Sequence, residues 1–217
     1  MPRVLIINPN TSASVTARVL AACREAHPAL HWEATTARFG APYIASEASY
    51  AIGAHAVLDA FEATPGPWDA VLIACFGDPG LLALREVSGL PVVGLAQASL
   101  EAAGSMGPFG IVTGGAAWGP MLQRFARMHQ LDGPLRSIQT VDLTGAQIAE
   151  APAQAMDALA RACDQAIAQG AQQIVLGGAA LAGLAAQLQP RVSVPLLDNV
   201  LLGAAAAASV ATRPPAG

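Results

Sequence analysis

Three segments of this 217-residue chain recur roughly a hundred residues further on, in the same order. Val71-Leu72-Ile73-Ala74-Cys75 is answered by Ile174-Val175-Leu176-Gly177-Gly178, and Pro91-Val92-Val93 by Pro195-Leu196-Leu197. The opening apolar strand and its turn are answered by Phe109-Gly110-Ile111-Val112-Thr113 and Gly114-Gly115-Ala116. Such a spacing marks an internal repeat despite low identity. In its register Thr113 stands where Asn8 stands, and Gly178 where Cys75 stands.

Each copy alternates short apolar strands with helical stretches, the pattern of a parallel sheet covered on both faces. The expected fold is therefore α/β: two doubly wound halves related by a pseudo-two-fold axis. Residues 1–97 with 199–217 form the first half and residues 98–198 the second. Helices are expected over Ala13 to Ala26 and Ser46 to Ala63, with a second strand at His31 to Thr36 between them. Ligands of open α/β sheets bind beyond the carboxyl ends of the strands, which places the active site in the crevice between the halves.

Val71 to Ala74 reads as a strand buried on both faces, and Asp78-Pro79 reads as the N-cap and first residue of the next helix. Cys75 then lies in a strand-to-helix turn, where free N–H groups and the helix dipole favour an anion and lower the thiol pKa. Cys75 is the candidate catalytic residue; the plainer reading is a buried small hydrophobe at a strand end. Cys23 and Cys163 lie within helical stretches and read as packing residues.

In the opening turn, Asn8, Asn10 and Thr11 are candidate substrate contacts, with Thr113 as their counterpart; an Asx turn is the alternative for the two asparagines. The backbone N–H groups of Phe76, Gly77, Gly178 and Ala179 are candidate anion holders. Asp198 reads as the N-cap of the last helix, and Thr212 to Gly217 as a disordered tail.

Composition narrows the function. The chain is 53% hydrophobic, much of it alanine, and has no run of the roughly 18 apolar residues that span a bilayer. The N-terminus enters a strand without a signal-like segment, so a cytoplasmic protein without a membrane partner is expected. Three cysteines give no disulfide framework, and the net charge of −4 without a basic patch argues against nucleic acid. His27, His31, His55 and His129 are read into helices or their ends and have no metal spacing, and no Gly-x-Gly-x-x-Gly occurs. No metal or cofactor is expected. The partner is a small-molecule substrate, and alanine-rich helices suit a homo-oligomer.

Asn8-Pro9-Asn10-Thr11-Ser12, Ala74-Cys75-Phe76-Gly77-Asp78-Pro79-Gly80-Leu81, Pro91-Val92-Val93-Gly94 and Val175-Leu176-Gly177-Gly178 together resemble the aspartate/glutamate/hydantoin racemase superfamily, its hydantoin racemase branch in particular. The resemblance implies a cofactor-independent enzyme whose two halves each place a cysteine beside the substrate α-carbon. One thiolate removes the proton and the other thiol returns one from the opposite face. The first cysteine corresponds to Cys75 and the second to Gly178, which has no proton to give. An acidic residue expected near Gln97 is an amide here. The superfamily also includes one-cysteine arylmalonate decarboxylases and a maleate isomerase. The resemblance thus implies a racemase acting on a hydantoin-like or amino-acid-derived substrate. The alternatives are a one-thiol decarboxylase or hydrolase, and a non-catalytic binder of small carboxylates.

Overall fold

The computed structural model describes residues 1–144, 147–148 and 151–213. The first sheet contains β1 (Arg3–Asn8), β2 (His31–Thr36), β3 (Ala70–Ile73) and β4 (Val92–Gly94) in the order β2-β1-β3-β4. The second contains β5 (Phe109–Gly114), β6 (Leu135–Val141), β7 (Ile174–Gly177) and β8 (Leu196–Asp198) in the order β6-β5-β7-β8. All pairings are parallel, and the repeat in sequence is a repeat in space. Ile7 pairs with Ile73 as Val112 pairs with Leu176, so Asn8 and Thr113 occupy equivalent strand ends.

The helices are α1 (Ala13–Ala26), α2 (Glu47–Glu62), α3 (Leu81–Ser88), α4 (Leu95–Met106), α5 (Trp118–Met128), α6 (Pro152–Ala168), α7 (Leu184–Leu188) and α8 (Asn199–Ala211). Burial on both sheet faces follows from the strand period of two. Leu5, Ile7, Val71 and Ile73 pack with Val57 of α2 and Leu84 of α3, whereas Val4, Ile6 and Leu72 belong to the larger core that includes Val200 and Ala204 of α8. The last helix thus returns to the first sheet. There it lies against α4 so closely that a Cβ at Gly203 would come 2.4 Å from Leu95 Cδ2. In turn, α4 reaches the second half, where Gln173 Nε2 donates to Ala103 O at 2.8 Å.

Local signals account for several element ends. Ser46 and Ser49 form a reciprocal capping box on α2, and Asp198 accepts from Val200 N and Leu201 N at the start of α8. Asp78-Pro79 does not begin a helix. The chain turns through Gly80 at φ 79° and α3 starts at Leu81, because the Asp78 carboxylate is directed to another helix, as described below. His31 lies in β2 rather than in or beside a helix. Thr212 closes α8, and positions 214–217 of the expected tail lie outside the described residues. Among the described residues no helix is long and apolar enough to cross a membrane.

Candidate active site

The strand ends of both sheets meet at a cleft. Cys75, two residues past β3, enters from the first half; Gly178, one residue past β7, enters from the second. Phe76 locks these turns together. Its ring lies over Gly177, where a Cβ would approach to 2.4 Å, so a side chain at Gly177 and the Phe76 ring cannot share the space.

Each turn is tied down from behind. Asn199, the first residue of α8, donates through Nδ2 to Leu176 O at 2.8 Å and Gly178 O at 3.2 Å. Gly178 takes φ 133°, a conformation side chains rarely adopt, and a Cβ there would touch Leu181 Cδ1 at 3.0 Å. On the other side, Tyr50 donates its hydroxyl to Gly77 O at 2.7 Å, and the Trp118 ring leaves no room for a Cβ at Gly77.

The expected contacts divide into two groups. Asn10, Cys75, Phe76, Thr113, Gly178 and Ala179 line the cleft. Asn8, Thr11 and Gly77 do not. Asn8 is fully buried and its amide is used internally: Nδ2 donates to Asn10 Oδ1, Ser12 O and Thr16 Oγ1, and Oδ1 accepts from Asn10 N. It shapes the loop instead of facing the cleft. Asn10 Oδ1 is taken up by Asn8 and Ser12, which leaves its Nδ2 as the group without a partner among the described residues. Thr11 N donates to Ala41 O at 3.1 Å and anchors the loop that carries Tyr43 and Ile44. The Gly77 N–H is drawn to the Asp78 carboxylate.

Two backbone donors remain: the N–H groups of Phe76 and Ala179, equivalent in the repeat, make no hydrogen bond among the described residues. The Thr113 hydroxyl is likewise without a partner among them. Tyr43, Ile44, Val15 and Trp118 complete the wall, and sequence reasoning did not single them out as site residues. Trp118 comes from the other half and is fastened by its Nε1 to Ile44 O at 3.2 Å. A lone aromatic at a helix start carries no signal of such a role.

Cys75 is 7% exposed. Burial, reinforced by the nearby Asp78 carboxylate, pushes its thiol well above the ordinary range, contrary to the lowering expected from a positive turn. The helix expected to start at Pro79 and point its dipole at the thiol begins two residues later, at Leu81 after Gly80. Cys23 and Cys163 are fully buried in α1 and α6, with thiols pushed up to about 12 mainly by desolvation. None of the described residues lining the cleft is charged. Its polar groups are a thiol, a hydroxyl, a phenol, an amide and peptide N–H groups, which suit a neutral or weakly acidic ligand rich in carbonyl oxygens.

The family model for Asp/Glu/Hydantoin racemase matches residues 4–207. A hydantoin racemase of Rhizobium meliloti is 32% identical over 199 residues, covering 90% of this chain and 83% of the relative. An allantoin racemase structure from Pseudomonas fluorescens superposes with a TM-score of 0.92 at 27% identity, covering 99% of this chain and 98% of that one. The allantoin racemase of Klebsiella pneumoniae gives 0.89 at 32% identity, with 97% and 87% covered. The chain belongs to the Asp/Glu/hydantoin racemase family.

Proposed function

We propose that the protein is a cofactor-independent racemase of the hydantoin and allantoin type, moving the α-proton of a small cyclic ureide through Cys75. The observation that carries this reading is a cleft with one thiol, neutral hydrogen-bond donors and no charged lining residue among those described. A free amino-acid dicarboxylate would leave its charges uncompensated there, whereas a hydantoin ring offers carbonyls to neutral donors. In the forward step the Cys75 thiolate takes the α-proton and the electron pair passes to the adjacent carbonyl oxygen. The N–H groups of Phe76 and Ala179, one on each turn, receive that charge, and such a donor is typically worth about 3 kcal/mol. In the reverse direction the Cys75 thiol returns the proton to the same face.

The other face is the distinctive feature. Gly178 supplies no proton, so inversion requires the proton to come from a water beside Gly178 and the Thr113 hydroxyl. This favours a second reading, one-sided chemistry in which Cys75 alone protonates or deprotonates and configuration is retained, as in a one-thiol lyase. The two separate in deuterated buffer with single enantiomers of allantoin and 5-substituted hydantoins, followed by NMR and optical rotation. Deuterium uptake with decay of rotation supports racemisation. Uptake with rotation retained, or ring opening, supports one-sided chemistry. Tight binding without either would contradict both.

A further inference from the structure

A buried carboxylate that the proposed chemistry does not use lies on the thiol's own turn, three residues after Cys75. Asp78 is 2% exposed, and its carboxylate accepts the N–H of Ala96 through Oδ1 at 2.8 Å, that of Gln97 through Oδ2 at 2.7 Å, and that of Gly77. Its own N–H donates to Cys75 O at 3.1 Å. The residue therefore closes the Cys75 turn and at the same time caps α4, a helix 17 residues further along the chain by its first residue, Leu95.

This arrangement is costly to build. Asp78 takes φ 54°, a left-handed conformation that is strained for a residue with a side chain. Gly94 must lack a side chain, because a Cβ there would fall 2.1 Å from Asp78 Cγ. The second half achieves the same link more simply. Asp198, at the repeat equivalent of Gly94, caps its own helix and reaches across to Gly183 N at 2.7 Å. A cap for α4 therefore did not require a carboxylate on the thiol's turn. In the first half alone the charge is carried by the turn that holds the cysteine.

We propose that Asp78 is a positioning residue for Cys75, holding the thiol's turn against α4 and setting how readily the thiol ionises through the negative charge it places on that turn. The inference rests on the reading of Cys75 as the reacting thiol. The ionisable groups around Asp78 are Cys75 on its own turn, Tyr50 on α2, Arg85 on α3 and His129 at the end of α5. Burial lifts the carboxyl to about 7, against the pull of the three N–H groups and Arg85. Its charge is therefore largely absent well below pH 7 and present above it.

The test is the rate of Cys75 alkylation by iodoacetamide in the full chain, read at the Cys75 peptide by mass spectrometry. Wild type, Asp78→Asn and Asp198→Asn are compared at about pH 6 and about pH 8.5. The expected result is that the Asp78→Asn rate, relative to wild type, grows about threefold or more between the two pH values, while the Asp198→Asn ratio stays constant. An unchanged rate, or an acceleration equal at both pH values, would overturn the proposal, since a merely loosened turn speeds alkylation at every pH. If Asp78→Asn does not fold, the wild-type amide proton resonances of Gly77, Ala96 and Gln97 carry the test. A common titration midpoint near 7 supports the proposal, and separate midpoints or none overturn it. A growing ratio in an enzyme whose proton exchange survives Cys75→Ser would overturn the role of Cys75 while leaving its coupling to Asp78 standing.

Discussion

Two asparagines two residues apart in one turn do different work, and hydrogen bonding separates them. Asn8 is fully buried with both amide atoms engaged, so Asn8→Ala strands the acceptors of its Nδ2 and the Asn10 N–H. Leaving such groups unpaired costs about 1–3 kcal/mol each at most. Asn10 lines the cleft with a donor to spare. Asn8→Ala is expected to lower the unfolding free energy by about 2–3 kcal/mol with KM little changed in the folded fraction. Asn10→Ala is expected to raise KM about tenfold with a smaller loss of stability. Urea unfolding and steady-state kinetics on the two variants check this. From residue types alone the two were alike, because only the folded loop reveals which amide is consumed by its neighbours.

At the scale of elements, seven of the eight described strands and the helices α1, α2 and α8 were legible because their signals are local, whereas β6 and the helices α4 to α7 drew no expectation. Apolar runs of four to six residues, the Ser46 cap and the Asp198 cap all act within a few residues of the sequence. Asp78 was read as a local cap as well, yet it serves α4, and no local pattern distinguishes a carboxylate that caps the next residue from one that caps a distant helix. Trp118, Tyr43 and Ile44 escaped notice for the same reason: they meet only after the two halves close on one another. The Cys75 and Gly178 turns touch through one ring. Phe76 occupies the space a side chain at Gly177 would need. Gly177→Ala should therefore push the Phe76 ring out of place, destabilising the fold by about 1–3 kcal/mol and cutting kcat because the Cys75 turn moves with the ring. Thermal unfolding and kcat measured together check it, and a variant of wild-type activity would show that the two turns are not coupled through this ring.

At the scale of the whole molecule, the repeat predicted both the number of halves and the crevice between them, and the two sheets follow the same strand order. What the repeat did not reveal is how unequal the halves are. One supplies a thiol, a strained aspartate and a glycine at position 94; the other supplies a glycine, an ordinary cap at Asp198 and a threonine whose hydroxyl faces the cleft. One repeated scaffold thus presents a thiol to the cleft from one half and a threonine from the other, and none of the described lining residues is charged. The central claim is that proton transfer at the substrate α-carbon passes through Cys75. Its most direct test is the rate of α-proton exchange into deuterated buffer for a single hydantoin or allantoin enantiomer, compared between wild type and Cys75→Ser. The account predicts that exchange falls by about a thousandfold or more in the variant, to near the uncatalysed rate, while substrate still binds. Exchange that continues at the wild-type rate without the thiol would contradict it.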